Sequence, residues 1–369
     1  MKTKQFLQIT AIVLLSTTNH QLSTCFAQGS LTPPGAPAPT MKSLDQIEAR
    51  TAITNTSSLV TISQPGSYYL TANLTVSTGD GIDINTNDVT LDLNGFTIRS
   101  TAASATGTGI LLNNGWSDIT IGNGHIRGGG TNNGSGFFGG GGFTYGIKTS
   151  GALPENVVVS RISVSGCQFD GISLSGQNST VAEACTVRTV GGYGIIASTV
   201  KSCLALDCGN TAIVGDQVSD CSGQSSGDGD GVDGTTALNC CGTSGFSNGV
   251  TATTAQNCRG SSNSGNGVLA TTAQNCYGFS SLESGLAAET VLNCFGFSTS
   301  GDGIDSSTAQ NCYGKSSGSG DGLYAAYTAS GCYGYSSAGR ALSAFIANVC
   351  HGETSTGTAL YTAHNVNSY

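Results

Sequence analysis

Four charged side chains stand where a repeating chain would gather them. Asp170 and Arg188 each lie three residues after a cysteine of an 18-residue series, and Glu183 and Lys201 each lie two before one. On adjacent coils of a repeat these acids and bases would form one outward cluster. Such a cluster is either a surface ion-pair group of little energetic weight or a set able to move a proton. Two carboxylates spaced for glycoside hydrolysis are not readable from the sequence.

Thiols are the second chemistry. Cys167, Cys185, Cys203 and Cys221 are spaced by 18 residues; the beat resumes at Cys240, Cys258, Cys276, Cys294 and Cys312, then at Cys332 and Cys350. A column of sulfurs suggests disulfides, a soft-metal site or a small buried hydrophobe. Stacked strands are about 4.8 Å apart, whereas bridged Cβ atoms want about 3.8 Å. No histidine joins the column before His351 to complete a metal site. We therefore expect reduced, buried thiols packed in a narrow core. Off the column, Cys208 and Cys241 are the candidates for exposed thiols.

The column also orients its neighbours. Side chains alternate along a strand. The residue two after each cysteine is small or apolar (Phe169, Val187, Ala205, then glycine from Gly223 to Gly352), and the residue one after it varies freely. The cysteine and the second residue should face inward, the first and third outward. That places Tyr277, Phe279, Phe295, Phe297, Tyr313, Tyr333 and Tyr335 on a wet surface. Exposed apolar platforms mark interaction sites, and an aromatic row suits sugar rings or another solenoid. The competing reading inverts the face and puts these rings in the core.

A third chemistry is calcium, the one cofactor the motifs bring into question. Gly79–Asp83, Gly229–Asp233 and Gly301–Asp305 share Gly-Asp-Gly-aliphatic-Asp, part of a calcium-binding nonapeptide. They do not recur in tandem, so we read them as Asp-Gly turns.

A fixed period of this length means a solenoid of stacked coils. From Thr51 onward short β-rich segments such as Val89–Leu93 alternate apolar and polar residues. Asn239, Asn257, Asn275, Asn293 and Asn311 precede their cysteines, and asparagine tolerates the left-handed backbone of a turn. Stacked amides there can bond in a ladder. A left-handed β-helix would repeat aliphatics every six residues; the uneven spacing here favours the right-handed form. The expected fold is all-β: a single-stranded right-handed parallel β-helix with about 18 residues per coil in the C-terminal half and a short N-terminal capping helix.

Residues 1–27 read as a signal peptide, with Lys2 and Lys4 before the apolar run Ile9–Leu15 and small residues near Ala27. Lipid attachment at Cys25 is the alternative. Residues 28–42 are a proline-rich linker. Ser43–Gln46 resembles a capping box, which predicts a helix over 43–50 within an N-terminal cap spanning 43–75. Irregular coils fill 76–165, with a flexible glycine-rich loop at 128–143, and regular coils fill 166–369. Phe137, Phe138 and Phe143 should pack that loop.

Gly109–Leu112, Asp118–Ile121, Asn123–Ile126, Asn156–Val159 and Gly171–Leu174 resemble coils of secreted bacterial right-handed parallel β-helix proteins of the pectin-lyase-like class. The resemblance covers about residues 60–369. It implies a polysaccharide lyase or hydrolase as one possible activity. Lyases of this class hold calcium with carboxylates and abstract a proton with a base, roles that Asp170, Glu183, Arg188 and Lys201 would take. The clustered aspartates of pectin-cleaving hydrolases are absent, and His125 lacks their flanking glycines.

The chain carries 22 acidic residues against 13 Lys and Arg, which gives no footprint for nucleic acid. No segment reads as a membrane span. We therefore expect an exported protein, extracellular, surface-bound or periplasmic. It would act as a non-catalytic adhesive module touching glycans or protein. An enzyme of the resembled class, or a filament component that self-associates end to end or laterally, are the alternatives.

Overall fold

The structure, a computed structural model, describes residues 50–369 apart from 135, 137 and 176–178. The predicted signal peptide and linker, all but the last residue of the predicted helix, and Phe137 lie outside them. The described chain is a parallel β-solenoid of about 17 turns with no helix. Each strand of the main 34-stranded sheet pairs in parallel with the equivalent strand one coil on, so each backbone position forms a column along the axis.

Coil length rises along the first half of the chain and then falls to a constant value. Ile82 pairs with Ile110, 28 residues on, and Ile119 with Val157, 38 on. Val164 pairs with Val187, 23 on, and Val187 with Ala205, 18 on. The wide coils bury large side chains, including Leu70, Leu91, Leu93 and Phe143. The narrow ones bury alanine, cysteine and single aliphatics such as Val268, Leu286 and Ile304.

One regular coil shows the cross-section. The strand Leu286–Leu292 bends at Glu289 and Thr290, so it supplies two faces. Leu286, Ala288 and Val291 point inward. Asn293 then turns the corner with φ of 54°, Cys294 points inward, and Phe295–Ser298 forms the third face. The same corner is left-handed at Asn239, Asn257, Asn275 and Asn311, as expected, with φ of 52–55°. Asn257 Nδ2 donates to Asn239 Oδ1 at 3.1 Å and Asn275 Nδ2 to Asn257 Oδ1 at 3.2 Å. Gly331 keeps that backbone with φ of 64° and Val349 with 53°. A β-branched residue there is strained, and the Val349 side chain is exposed while its amide keeps the ladder bond to the Val366 carbonyl at 2.9 Å.

The third face is thin for a steric reason. A Cβ on Gly296 would sit 2.0 Å from the Gly303 carbonyl oxygen, and one on Gly303 would sit 2.1 Å from the Lys315 amide nitrogen. A Cβ on Gly260 or on Gly278 would likewise sit 1.8 or 1.9 Å from the carbonyl oxygen of Gly267 or Gly285. Two stretches of backbone therefore touch, with no side chain between them. The next column is serine. Ser280, Ser298 and Ser316 are buried; their hydroxyls donate to the carbonyls of Gly265, Glu283 and Gly301 at 2.6–2.8 Å.

Three sequence expectations are corrected. Cys167 is off the cysteine ladder. Val164 pairs with Val187, which puts Ile162 beside Cys185, while the Gly191 amide bonds the Cys167 carbonyl and puts Cys167 beside Val190. The coil there is 23 residues long, so the spacing of 18 is a coincidence. Phe169 is consequently exposed rather than inward. The glycine-rich segment holds a two-stranded antiparallel hairpin, Gly129–Asn132 with Phe138–Gly141, and Phe143 is fully buried. Cys208 is buried, because it occupies the column of Ser225; Cys241 is exposed.

The glycine contact yields a test. Gly296→Ala should cost about 3 kcal/mol or more, since neither backbone can retreat without breaking its ladder. Amide exchange should rise in coils 278–322, where nearest-neighbour coupling confines the damage. Phe297→Ala, on the outer side of the same strand, should stay within about 1 kcal/mol.

Candidate functional site

The aromatic candidates sit on the third face, and alternation dictates their side. Phe295 and Phe297 flank buried Gly296; both are partly exposed, and Tyr277 is exposed. The inverted reading fails, because Cys276, Cys294, Cys312 and the glycines take the inner positions.

In-register stacking joins the first outward column into one run. Ring centroids are 5.1 Å apart for Tyr277 and Phe295, 5.0 Å for Phe295 and Tyr313, and 4.9 Å for Tyr313 and Tyr333. The run continues through His351 to Tyr369 at 5.1 and 5.0 Å. Arg259 caps its other end, 5.2 Å above Tyr277. The second column has Phe279 and Phe297 at 5.5 Å, then Lys315 between Phe297 and Tyr335. His351, Tyr369, Arg259 and Lys315 are thus part of the surface, beyond the predicted rings; the sequence signal was their place one or three residues after a ladder rung.

The geometry refines what the row can touch. Tyr277 and Phe295 are 14° from parallel, and Tyr333 and His351 26°. Such rings spend their faces on each other and present edges and hydroxyls outward. Tyr313 stands at 70° and 72° to its neighbours and breaks the stack. Tyr333 donates to Glu353 Oε2 at 2.6 Å, which pushes its phenol up to about 12. The Tyr335 hydroxyl contacts Ser355 Oγ at 3.1 Å.

The four charged candidates do not form one cluster. Lys201 Nζ lies 3.7 Å from Glu183 Oε1 in an exposed pair. Arg188 pairs in register with Ser165 and Leu206, not Asp170. Asp170 lies at a different corner, accepting the Tyr193 amide at 3.0 Å, and burial raises its pKa. The long coil that displaced Cys167 displaced Asp170 with it.

Asp170 instead joins a column of turn-capping side chains. Asp80 accepts the Thr108 amide at 2.6 Å, Asp230 the Asn248 amide at 2.8 Å, and Asp302 the Asp321 amide at 2.6 Å. Ser247 Oγ also donates to Asp230. Each Gly-Asp-Gly motif thus places a carboxylate that caps the next coil's backbone. Among the described residues no three acids, histidines or cysteines are grouped to hold a metal ion.

The ladder thiols are free and buried from Cys185 to Cys350. Each sulfur meets the carbonyl two residues earlier: Cys203 with Lys201 at 3.2 Å, Cys221 with Ser219 at 3.0 Å, Cys312 with Gln310 at 3.0 Å. Ser368 takes the next rung and accepts the Cys350 amide at 3.0 Å. The ladder cysteine therefore acts as a compact donor inside an apolar corner. The neighbouring Cys203 sulfur, reinforced by burial, holds the Cys185 and Cys221 thiols protonated.

No protein-family model matches the chain, and no curated protein or solved structure matches it. Among the described residues no helix is long and apolar enough to cross a membrane.

Asp302 makes a pH prediction. Burial pushes it up to about 6, and Asp321 and Asp305 add to the rise. A carboxyl whose folded pKa lies above its unfolded one favours folding while protonated, and that contribution fades as pH rises through the folded value. Asp302→Asn keeps the acceptor for Asp321 without the charge. It should stabilise the fold by about 1 kcal/mol at neutral pH, after discount for partial exposure. Urea midpoints should show the gain vanish near the unfolded pKa of about 4.

Proposed function

We propose that the protein is an exported, non-catalytic β-solenoid that binds polysaccharide or another surface along its third face. The observation that carries this reading is the continuous outward row from Arg259 through Tyr277, Phe295, Tyr313, Tyr333 and His351 to Tyr369. A surface that repeats one pattern over successive coils matches a ligand that is itself a repeating polymer. Phenol hydroxyls along the edge suit a polyhydroxylated chain, and the aromatic bodies supply apolar contact. The separation of Asp170, Arg188 and the Glu183–Lys201 pair leaves the lyase reading without an assembled site. Lys2, Lys4 and the apolar run that follows support export. The coil phrases around Ile110, Ile121 and Ile172 support membership of the pectin-lyase-like class.

A glycan array tests this. The Tyr277→Ala/Tyr313→Ala/Tyr333→Ala variant should lose about tenfold or more in affinity, or ~1.4 kcal/mol. The corresponding triple phenylalanine variant should fall between it and the native chain, because the hydroxyls carry part of the contact. Binding that is absent altogether, or unchanged in the alanine variant, would sink the proposal.

A further inference from the structure

A second surface, on the first face of the coil, has a different composition. Its outward column runs Leu269, Ala287, Asp305, Tyr324, Ser343 and Tyr361 in register. Two small residues, Ala287 and the buried Ser343, interrupt the larger ones, and those gaps sculpt it. Over Ser343, between Tyr324 and Tyr361, lies a recess of about 470 Å³ that also meets Phe345 and Arg340. Over Ala287, between Leu269 and Tyr324, lies a second of about 330 Å³, lined also by Glu289 and Asp305. Tyr324 stands between the two recesses and lines both, so they follow one another along the solenoid axis as two stations of one stepped groove.

The walls are apolar and aromatic, and the charge is acidic. Tyr361 and Phe345 are 60% and 53% exposed. Glu289 and Asp305 open onto the groove, and Asp321 adds a carboxylate beside Arg340 at its edge. Among the described residues Arg340 is the one cation lining the recesses, and it is already held. Its Nε donates to Asp321 Oδ1 at 3.0 Å, its Nη2 lies 2.8 Å from Asp321 Oδ2, and its guanidinium sits 5.1 Å above Tyr361. A uronate or sulfated polymer would meet carboxylates with no free cation to answer it. An ammonium group would meet Glu289, Asp305 and the tyrosine faces, while the sugar's apolar face packs on Tyr324 and Tyr361.

We propose that this groove binds a cationic glycan, a polymer of sugars bearing free amino groups such as polyglucosamine. The surface lies on a different face from the aromatic row, so the two readings stand or fall separately.

Calorimetry of the full chain with glucosamine oligomers, and with the fully N-acetylated oligomers of equal length, tests it at a pH where the amines are protonated. The acetylated oligomer should bind about tenfold or more weakly, since it offers no charge for Glu289 and Asp305. Ser343→Tyr completes the tyrosine row and fills the larger recess, and it should abolish most binding. Asp305→Asn should weaken binding several-fold and flatten its salt dependence. Far-UV circular dichroism checks folding; if Ser343→Tyr does not fold, Tyr324→Ala on the surface carries the test. Equal affinity for both oligomers overturns the proposal. So does binding untouched by these variants, binding lost only in the third-face tyrosine variant, or equal competition by a lysine peptide.

Discussion

The contact of glycine backbone on glycine backbone sets the dimensions of the regular coils. Gly296 against Gly303, and its equivalents at Gly260 and Gly278, bring the third face against the start of the first with no side chain between. The remaining interior is small enough for alanine, one aliphatic residue and one thiol. Parallel stacking then makes the choice collective. A coil of another thickness could not pair at every position with both neighbours. Each inner or corner column of the regular coils therefore favours one type: glycine, asparagine, serine or cysteine.

A core that thin has little room for chemistry inside. The thiols illustrate this: their protons go to backbone carbonyls at a tight corner, where the hydroxyl of Ser368 stands at the next rung. The Gly-Asp-Gly carboxylates are likewise committed to backbone amides. Functional variation moves to the outward columns, where the stacking rule leaves residue type free. There the chain places rings on the third face and small residues between larger ones on the first.

What could be read in advance follows from that geometry. Strict periodicity made the solenoid, the cysteine ladder from Cys185 onward, the asparagine corner and the outward aromatics legible, because one alignment served every coil. It misled where the period held by chance. Cys167 keeps the spacing but sits in a 23-residue coil, so Phe169 and Asp170 were assigned to wrong columns. Cys208 was read as off-pattern when it belongs to the column that later becomes serine. That serine column was visible at a constant offset, yet its role in tying one turn to the next needed the fold. The first-face groove was hidden because its signal, Ala287 and Ser343 between larger neighbours, is spread across several coils.

Hydroxyl-radical footprinting with mass spectrometry tests the account most directly, because thiols react with radicals more readily than phenols do. The account predicts that Tyr277, Tyr361 and exposed Cys241 are oxidised in the folded chain while Cys203, Cys258 and Cys312 survive until it unfolds. Oxidation of the ladder thiols before the rings would contradict it, since the inner and outer faces would then be reversed.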